Sequence, residues 1–313
     1  MKKFSIIIFA LLLSFSSLAQ QEAQFTQYMY NPGSINPGYA GSEEVFNITG
    51  LHRSQWVGLD GAPVTQVLSL STPVGKNVGM GLSIINDKIG PSSEVNASVD
   101  FAYTLLLDEV TKLAFGIKAS AHWLDIDFEA LEGGGVFDPK FGTNVENRFS
   151  PNVGVGAYLY GERYYLGLSA PRMLESRHYK EEDGTESFLA TEKLHGYLMG
   201  GYVFDLSQNL KLKPAFLLKS VSGAPLQVDR SSSFLFHVRF TLGASYRWSS
   251  AVSALAGFQI TNSMFLGYAY DAETTALRKY NSGSHELVLS FDLSLKPKKA
   301  KKDPEPEVAA RFF

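Results

Sequence analysis

The sequence predicts an all-β fold, a transmembrane antiparallel up-and-down β-barrel of about 14 strands whose N- and C-termini are periplasmic. Three observations predict this fold. Segments of about ten residues alternate apolar and polar side chains, turn residues separate these segments, and the first residues of the chain read as an export signal. A chain of 313 residues with 28 glycines and no cysteine is consistent with the same class.

Residues 1–19 are predicted to be a signal peptide. Two lysines precede an apolar run from Phe4 to Leu13, and Ser17-Leu18-Ala19 supplies a small-x-small cleavage site, so we expect cleavage after Ala19. No later window contains the roughly 18 continuous apolar residues of a transmembrane helix. We therefore expect an exported protein that reaches the cell outer membrane and crosses it with strands.

Residues 20–44 are predicted to be a periplasmic or luminal coil. Pro32 and Pro37 prevent a regular element of useful length. Dense aromatic residues favour docking against the barrel lumen or a periplasmic partner; the alternative is an unattached leader, since chain termini are disordered by default. The residues that we predict to bind a partner here are Phe25, Gln27, Tyr28, Tyr30, Asn31, Asn36, Pro37 and Tyr39.

Residues 45–295 are predicted to form the barrel, and the last strand shows the pattern most clearly. Its odd positions are apolar from Leu287 to Leu295, whereas Glu286 and Asp292 lie at even positions. Because side chains alternate across a strand, one face suits lipid and the other suits water. A strand of a soluble sandwich would alternate in the same way, so the prediction rests on repetition.

Fourteen segments show strand character, an even number as single-chain bacterial barrels require. They are residues 45–52, 64–72, 78–87, 94–106, 112–124, 150–160, 163–170, 192–205, 209–220, 226–236, 239–248, 251–260, 263–271 and 285–295. The connections between them alternate between short, predicted as periplasmic, and long, predicted as external, with Ser249-Ser250 as a short external exception. The aromatic residues predicted to form interfacial girdles are Tyr103, Trp123, Tyr158, Tyr160, Tyr202, Tyr246, Trp248, Tyr268 and Tyr270.

The lumen is predicted to be wet and of mixed charge. The charged residues at inward positions are Asp100, Lys118, Lys211, Lys213, Lys219, Arg239, Arg247, Glu286 and Asp292. A barrel of about fourteen strands has room for a narrow pore or a plug. Residues 20–42 and the two longest loops are candidate plugs, and the glycine pairs Gly79-x-Gly81 and Gly154-x-Gly156 are predicted to make room for lumen contents.

Catalytic and metal motifs are weak. Ser284-His285-Glu286 has the residue types of a triad, but neighbours on a strand project to opposite faces. Asp125, Asp127 and Glu129 offer oxygen ligands for calcium, but their spacing does not match an EF-hand, so a solvated loop is the better interpretation. We therefore predict no enzyme activity, no cofactor and no metal.

Residues 296–313 are predicted to be a periplasmic tail. Five lysines precede an acidic, proline-containing stretch that cannot form a core. The tail is either a solvated appendage or a docking peptide that ends in the partner-binding residues Arg311, Phe312 and Phe313.

Several short motifs lie in the two end regions of the mature chain. They are Phe25-Thr26-Gln27-Tyr28-Met29-Tyr30-Asn31, Asn36-Pro37-Gly38-Tyr39-Ala40-Gly41-Ser42, Leu242-Gly243-Ala244-Ser245-Tyr246-Arg247 and the residues Arg53, Gln55, Trp56, Gly61, Pro63, Tyr270, Asp271, Gly283, Ser284, His285 and Glu286. With these motifs the chain resembles the PorP/SprF family of outer-membrane proteins, which belong to the type IX secretion and gliding system of Bacteroidota.

The resemblance implies a non-enzymatic barrel that works with the periplasmic ring and peptidoglycan-binding lipoproteins of type IX secretion, and with a secreted surface adhesin or cargo protein. Outer-membrane lipid would surround the barrel, and no basic, aromatic-interleaved stripe indicates nucleic acid. We hypothesise that the barrel bridges a surface protein outside to the secretion or motility apparatus inside. The competing class is a porin-like channel or solute transporter, in which the lumen conducts.

Overall fold

A computed structural model describes residues 24–128, 144–174, 177–182, 185–191 and 194–294. The predicted signal peptide, Glu129 and the predicted tail with Arg311, Phe312 and Phe313 lie outside these residues. The described strands are β1 (Phe46–Ser54), β2 (Val64–Pro73), β3 (Val78–Ile89), β4 (Ser92–Leu106), β5 (Lys112–Ile126), β6 (Val145–Tyr160), β7 (Tyr164–Arg172), β8 (Arg177–Glu182), β9 (Thr185–Thr191), β10 (His195–Tyr202), β11 (Phe204–Ser207), β12 (Leu210–Val221), β13 (Gln227–Phe236), β14 (Phe240–Arg247), β15 (Ala251–Thr261), β16 (Met264–Glu273) and β17 (Ser284–Leu293).

The large sheet closes into a barrel. Each strand pairs antiparallel with its neighbour, and β1 pairs with β17 in a register that joins Phe46 to Leu293 and Ser54 to His285. β10 and β11 are two pieces of one strand, interrupted at Val203, and both pair with β12. The described wall therefore has fourteen strands, as predicted, and its hydrogen bonding leaves no open edge.

One feature was not predicted. β8 and β9 pair only with each other and form a separate hairpin inside the connection between β7 and β10, where the sequence predicted a loop over residues 171–191. The hairpin strands have six and seven residues, and neither pairs with a strand of the wall.

The outward-facing side chains confirm the alternating pattern. Leu287 and Leu293 on β17 are about half exposed, whereas Val288 and Ser290 between them are fully buried. The outer face carries a continuous apolar band that only a hydrocarbon environment or a partner would cover. Other exposed large side chains of this face are Phe101, Tyr103, Phe115, Ile117, Leu168, Leu242, Tyr246 and Trp248.

Two of the predicted girdle residues, Tyr158 and Tyr160, are not on the outer face. Tyr158 is 1% exposed and lies in the lumen, where its ring contacts the rings of Tyr160 and Tyr165. The prediction was wrong because it placed aromatic residues by their distance from the strand end and ignored parity. Even positions of β6, such as Asn152 and Ser150, point inward.

The connections fall at two rims. The short-turn rim carries residues 74–77, 107–111, 161–163, 208–209, 237–239 and 262–263. The long-loop rim carries residues 55–63, 90–91, 222–226, 248–250 and 274–283, together with the described ends of the two longest connections at residues 127–128, 144, 173–174 and 194. The predicted alternation is confirmed, with residues 90–91 and 248–250 as short exceptions at the long-loop rim.

In the turn at residues 107–111, the backbone N–H groups of Val110 and Thr111 donate to Asp108 and lower the pKa of its carboxyl.

The lumen holds most of the charges that were predicted to point inward. Asp100, Lys118, Lys219, Arg247 and Glu286 are buried inside the barrel. Two of the predicted charges lie elsewhere. Arg239 is exposed in the turn between β13 and β14, because the strand begins one residue later than predicted, and Lys211 is partly exposed near the start of β12, where it pairs with Asp205. Among the described residues, no helix has both the length and the apolar character needed to cross a bilayer.

A candidate plug-anchoring site in the barrel lumen

Residues 24–42, which we call the plug, run through the lumen. They form three single 3₁₀ turns at Tyr28–Tyr30, Pro32–Ser34 and Pro37–Tyr39. Proline starts the second and third turns, where its fixed φ suits the first position of a helix. The predicted partner-binding residues of this segment lie against the wall, all buried except Tyr30, which is partly buried. Of the alternatives for this coil, the structure has the luminal one, and partner binding by these residues stays a prediction.

The plug has a defined direction along the barrel. Its amino end lies at the long-loop rim, where the side-chain amide of Gln24 donates to Gln227 at the start of β13 (2.8 Å). Its carboxyl end lies at the short-turn rim, where Gly41 N–H donates to Ser71 (2.8 Å) and Glu44 pairs with Lys112. The described amino end, Gln24, is thus at the opposite rim from Leu293 at the end of β17.

A buried ion cluster, which we call the latch, lies near the long-loop rim. Arg53 at the end of β1 contacts Asp271 of β16 (Nη2 to Oδ2, 2.7 Å) and Glu286 of β17 (Nη1 to Oε2, 3.1 Å). All three side chains are at most 3% exposed. Buried charges are tolerated when they are paired and hydrogen-bonded, and the register of β1, β16 and β17 brings these three together.

The latch holds the amino end of the plug. The Glu286 carboxylate accepts the backbone N–H groups of Thr26 (2.9 Å) and Gln27 (2.7 Å), one on each oxygen. The Thr26 hydroxyl donates to Asp271 (2.8 Å) and lies 3.3 Å from Arg53 Nη1. Hydrogen bonds to a charged group are stronger than neutral ones, so this end of the plug is fixed to the wall.

A second ion pair extends the contact around the wall. Arg247 Nε lies 2.7 Å from Asp229 Oδ1, and Gln227 donates to the other Asp229 oxygen (2.9 Å). Gln227 in turn accepts from Gln24 of the plug. The long-loop end of the lumen therefore carries two arginines and three carboxylates, each in contact with an opposite charge.

Halfway along the lumen, the wall binds the plug backbone through Lys118 of β5. Lys118 Nζ lies 3.0 Å from Asp100 on β4 and donates to Ser98 (3.2 Å) and to the Gly33 carbonyl of the plug (3.4 Å). The Ser169 hydroxyl of β7 donates to the Ile35 carbonyl (2.8 Å). Without these donors the plug carbonyls would be buried unpaired, which is costly.

Inward-facing glycines make room for the plug. A Cβ on Gly79 would overlap the Ala40 carbonyl, one on Gly116 would overlap Pro37, and one on Gly156 would overlap the Asn36 side chain. For Gly79 and Gly156 this confirms the predicted role of the strand glycines. Gly154 is different, because the atoms that a Cβ would meet there belong to Pro171 of the wall.

The first and last connections cover the latch at the long-loop rim. Val57 N–H donates to the Gly283 carbonyl (2.9 Å), and Trp56 N–H donates to the Ser284 hydroxyl (3.1 Å). The Trp56 indole donates to Glu273 (3.1 Å). Gly283 has a φ of 89°, and any side chain there would overlap the Asp271 carbonyl and the Tyr270 ring. The motif residues from the first and last strands of the barrel, which are far apart in the sequence, therefore meet at the long-loop rim.

The Ser284-His285-Glu286 sequence does not form a triad. Ser284 and Glu286 point into the lumen, whereas the His285 ring lies on the outer face, 2.6 Å from the Tyr268 hydroxyl. Within the described ranges, no three His, Asp or Glu side chains are grouped so as to hold a metal ion. Of the residues considered for calcium, Asp125 lies near the end of β5, and its carboxylate accepts the N–H of Asn147 on β6 (2.7 Å).

Sequence reasoning did not single out all residues of the site. Asp229, Gln227 and Ser169 were not singled out, and Thr26 was noted only as part of a motif. The parity of the three wall residues on their strands could be predicted, but which inward residues face the plug depends on the order and stagger of the wall strands.

A family model described as type IX secretion system membrane protein PorP/SprF matches residues 17–291. The chain belongs to the PorP/SprF family. The latch of this PorP/SprF protein is built from the residues that carried the resemblance, namely Arg53, Asp271 and Glu286. No curated protein matches the chain.

Solved outer-membrane barrels are similar to this PorP/SprF protein in fold. Omp33 of Acinetobacter baumannii is 10% identical, with a TM-score of 0.46, over 80% of this chain and 98% of that chain. The P. putida toluene transporter TodX is 10% identical, with a TM-score of 0.45, over 85% and 95%. The NanC porin is 9% identical, with a TM-score of 0.41, over 80% and 100%.

Proposed function

We propose that this PorP/SprF protein is a non-enzymatic outer-membrane scaffold of type IX secretion and gliding, which bridges a secreted surface protein to the periplasmic apparatus. The observation that carries the proposal is the plug. The plug is fixed at both rims and occupies the lumen between them. This arrangement favours a barrel that anchors a protein over a barrel that conducts a solute.

The two rims supply the two surfaces that a bridge needs. The long-loop rim carries the longest connections and takes the external partner, since long connections of such barrels are external. The short-turn rim faces the periplasmic ring and lipoproteins. Because the plug is buried, the periplasmic surface consists of rim residues that are exposed, such as Glu44, Arg163 and Asp205, or partly exposed, such as Lys112 and Lys211.

Co-purification tests the bridge. The full-length chain with an affinity tag in the exposed turn at residues 74–77 is solubilised from the envelope in detergent, and its partners are identified by mass spectrometry. We expect one secreted surface protein together with periplasmic type IX components. Reversing charge at the short-turn rim, with Arg163→Glu and Lys211→Glu, removes the periplasmic components and leaves the surface protein. Loss of neither or of both contradicts a bridge with two separate surfaces.

A porin-like channel is the second candidate. Two cavities of mixed polar and apolar lining lie between the plug and the wall, and both are lined by Ser83 near the Lys118–Asp100 pair. Conductance of the purified protein in planar bilayers separates the two functions. We expect the intact barrel to be silent; a large steady conductance would favour the channel.

A further inference from the structure

We propose that the lumen is a peptide-binding groove, specific for a peptide whose Asn-Pro-Gly segments form 3₁₀ turns, and that the plug is a ligand of this groove that the chain carries itself. The inference concerns the groove alone and holds whether or not the barrel bridges two partners.

The wall recognises peptide backbone at several points. Glu286 accepts two consecutive N–H groups of the plug, and Ser71 accepts a third, from Gly41. Lys118 and Ser169 donate to two plug carbonyls. Backbone groups are common to all peptides, so these contacts select a peptide in a defined direction.

Side-chain contacts add selectivity for a repeated turn. The plug contains Asn-Pro-Gly twice, at residues 31–33 and 36–38, and each proline begins a 3₁₀ turn. The Asn31 amide donates to Ser69 (3.1 Å), and the Asn36 amide donates to the Ala157 carbonyl (3.0 Å). The turn that begins at Pro37 lies against the wall glycines Gly116 and Gly156, where side chains on the wall would exclude it.

Aromatic side chains of the plug fill apolar pockets of the wall. Tyr28 and Tyr39 pack in a cluster with Tyr158, Tyr197 and Met199 of the wall. The Tyr39 and Tyr158 rings meet edge to face with centroids 5.4 Å apart. Such pockets, which receive side chains at set intervals along a bound backbone, are a feature of peptide-recognition grooves.

The plug is separable from the barrel wall. No β-ladder among the described residues includes it, so its departure breaks no strand pairing. It joins the wall only through the residues that lead into β1, and its other contacts are hydrogen bonds and packing. Most of those bonds are to wall side chains, and water would satisfy the wall groups once the lumen opened.

An exchange experiment on the full chain tests the proposal. A protease recognition sequence is inserted between Ser42 and Val45, and the folded protein is cut in detergent, so that the wall stays intact while the plug loses its covalent link. The cut protein is then incubated with a fluorescent synthetic peptide of residues 20–42 or with a scrambled peptide of the same composition. Bound fluorescence is measured after gel filtration.

We expect the native peptide to replace the cut segment and the scrambled peptide to stay out. Glu286→Gln removes one charged acceptor of two N–H groups, so exchange should be about tenfold faster. Ser71→Ala provides a second, milder variant at the other rim, and Arg163→Met, which changes only an exposed ion pair, should exchange like the parent.

Three outcomes overturn the proposal. If the cut segment never leaves the lumen, the plug is a permanent part of the core and not an exchangeable ligand. A segment that leaves without entry of the added peptide shows that only the covalent link held it. Equal entry of both peptides shows a lumen that does not discriminate between sequences.

Discussion

Replacing Arg53 by methionine is the most direct test of the latch. The substitution keeps the length of the side chain but leaves Asp271 and Glu286, which are 3% and 0% exposed, without their cation. Breaking a buried ion pair by removing one partner costs about 3–5 kcal/mol of the free energy of unfolding. The two carboxylates then bind protons or repel one another, and Glu286 holds the plug N–H groups less well.

Guanidinium unfolding in detergent, followed by tryptophan fluorescence, measures this loss. With a slope of roughly 5 kcal/mol per molar, the midpoint should fall by roughly 0.6–1 M. Arg163→Met is the matched control, because the Arg163–Asp205 pair is 59% and 36% exposed and such surface pairs contribute about 1 kcal/mol or less. The double variant Arg53→Met with Glu286→Gln should recover part of the loss, because it removes one orphaned charge. Equal midpoints for Arg53→Met and Arg163→Met would refute the reasoning.

Two further predictions concern the plug. Gly116→Ala should lower the free energy of unfolding by about 1–3 kcal/mol, because the added Cβ would overlap Pro37. Gly50→Ala is the control: its Cβ would meet nothing closer than 4.0 Å, so it should change stability only by the smaller effect of replacing a glycine. The same guanidinium titration distinguishes the two variants. Because the chain has no cysteine, single introduced cysteines show which rim faces the outside of the cell. A membrane-impermeant maleimide should label Gln24→Cys and Asp60→Cys, at the long-loop rim, in intact cells. It should label Lys76→Cys, at the short-turn rim, only after the outer membrane is permeabilised. Labelling of Lys76→Cys and not Gln24→Cys in intact cells would contradict the orientation of the barrel, because it would place the short-turn rim outside.

Much of the wall could be predicted from the sequence, because lipid and lumen impose a period of two on every strand. The face of Leu287 and Glu286 followed from parity alone, as did the separation of His285 from Ser284. Tyr158 was misplaced where parity was ignored, and the β8–β9 hairpin lies in a connection for which the sequence pattern predicted a loop.

The sequence by itself determined the barrel, the number of its wall strands and the alternation of its two rims, since these depend on local alternation and turn spacing. Only the tertiary structure decided the latch and the course of the plug. Arg53, Asp271 and Glu286 come together because closure of the sheet pairs the first strand with the last, and the register of that pairing sets which side chains share a level. Such distances between remote residues are a property of the closed wall as a whole.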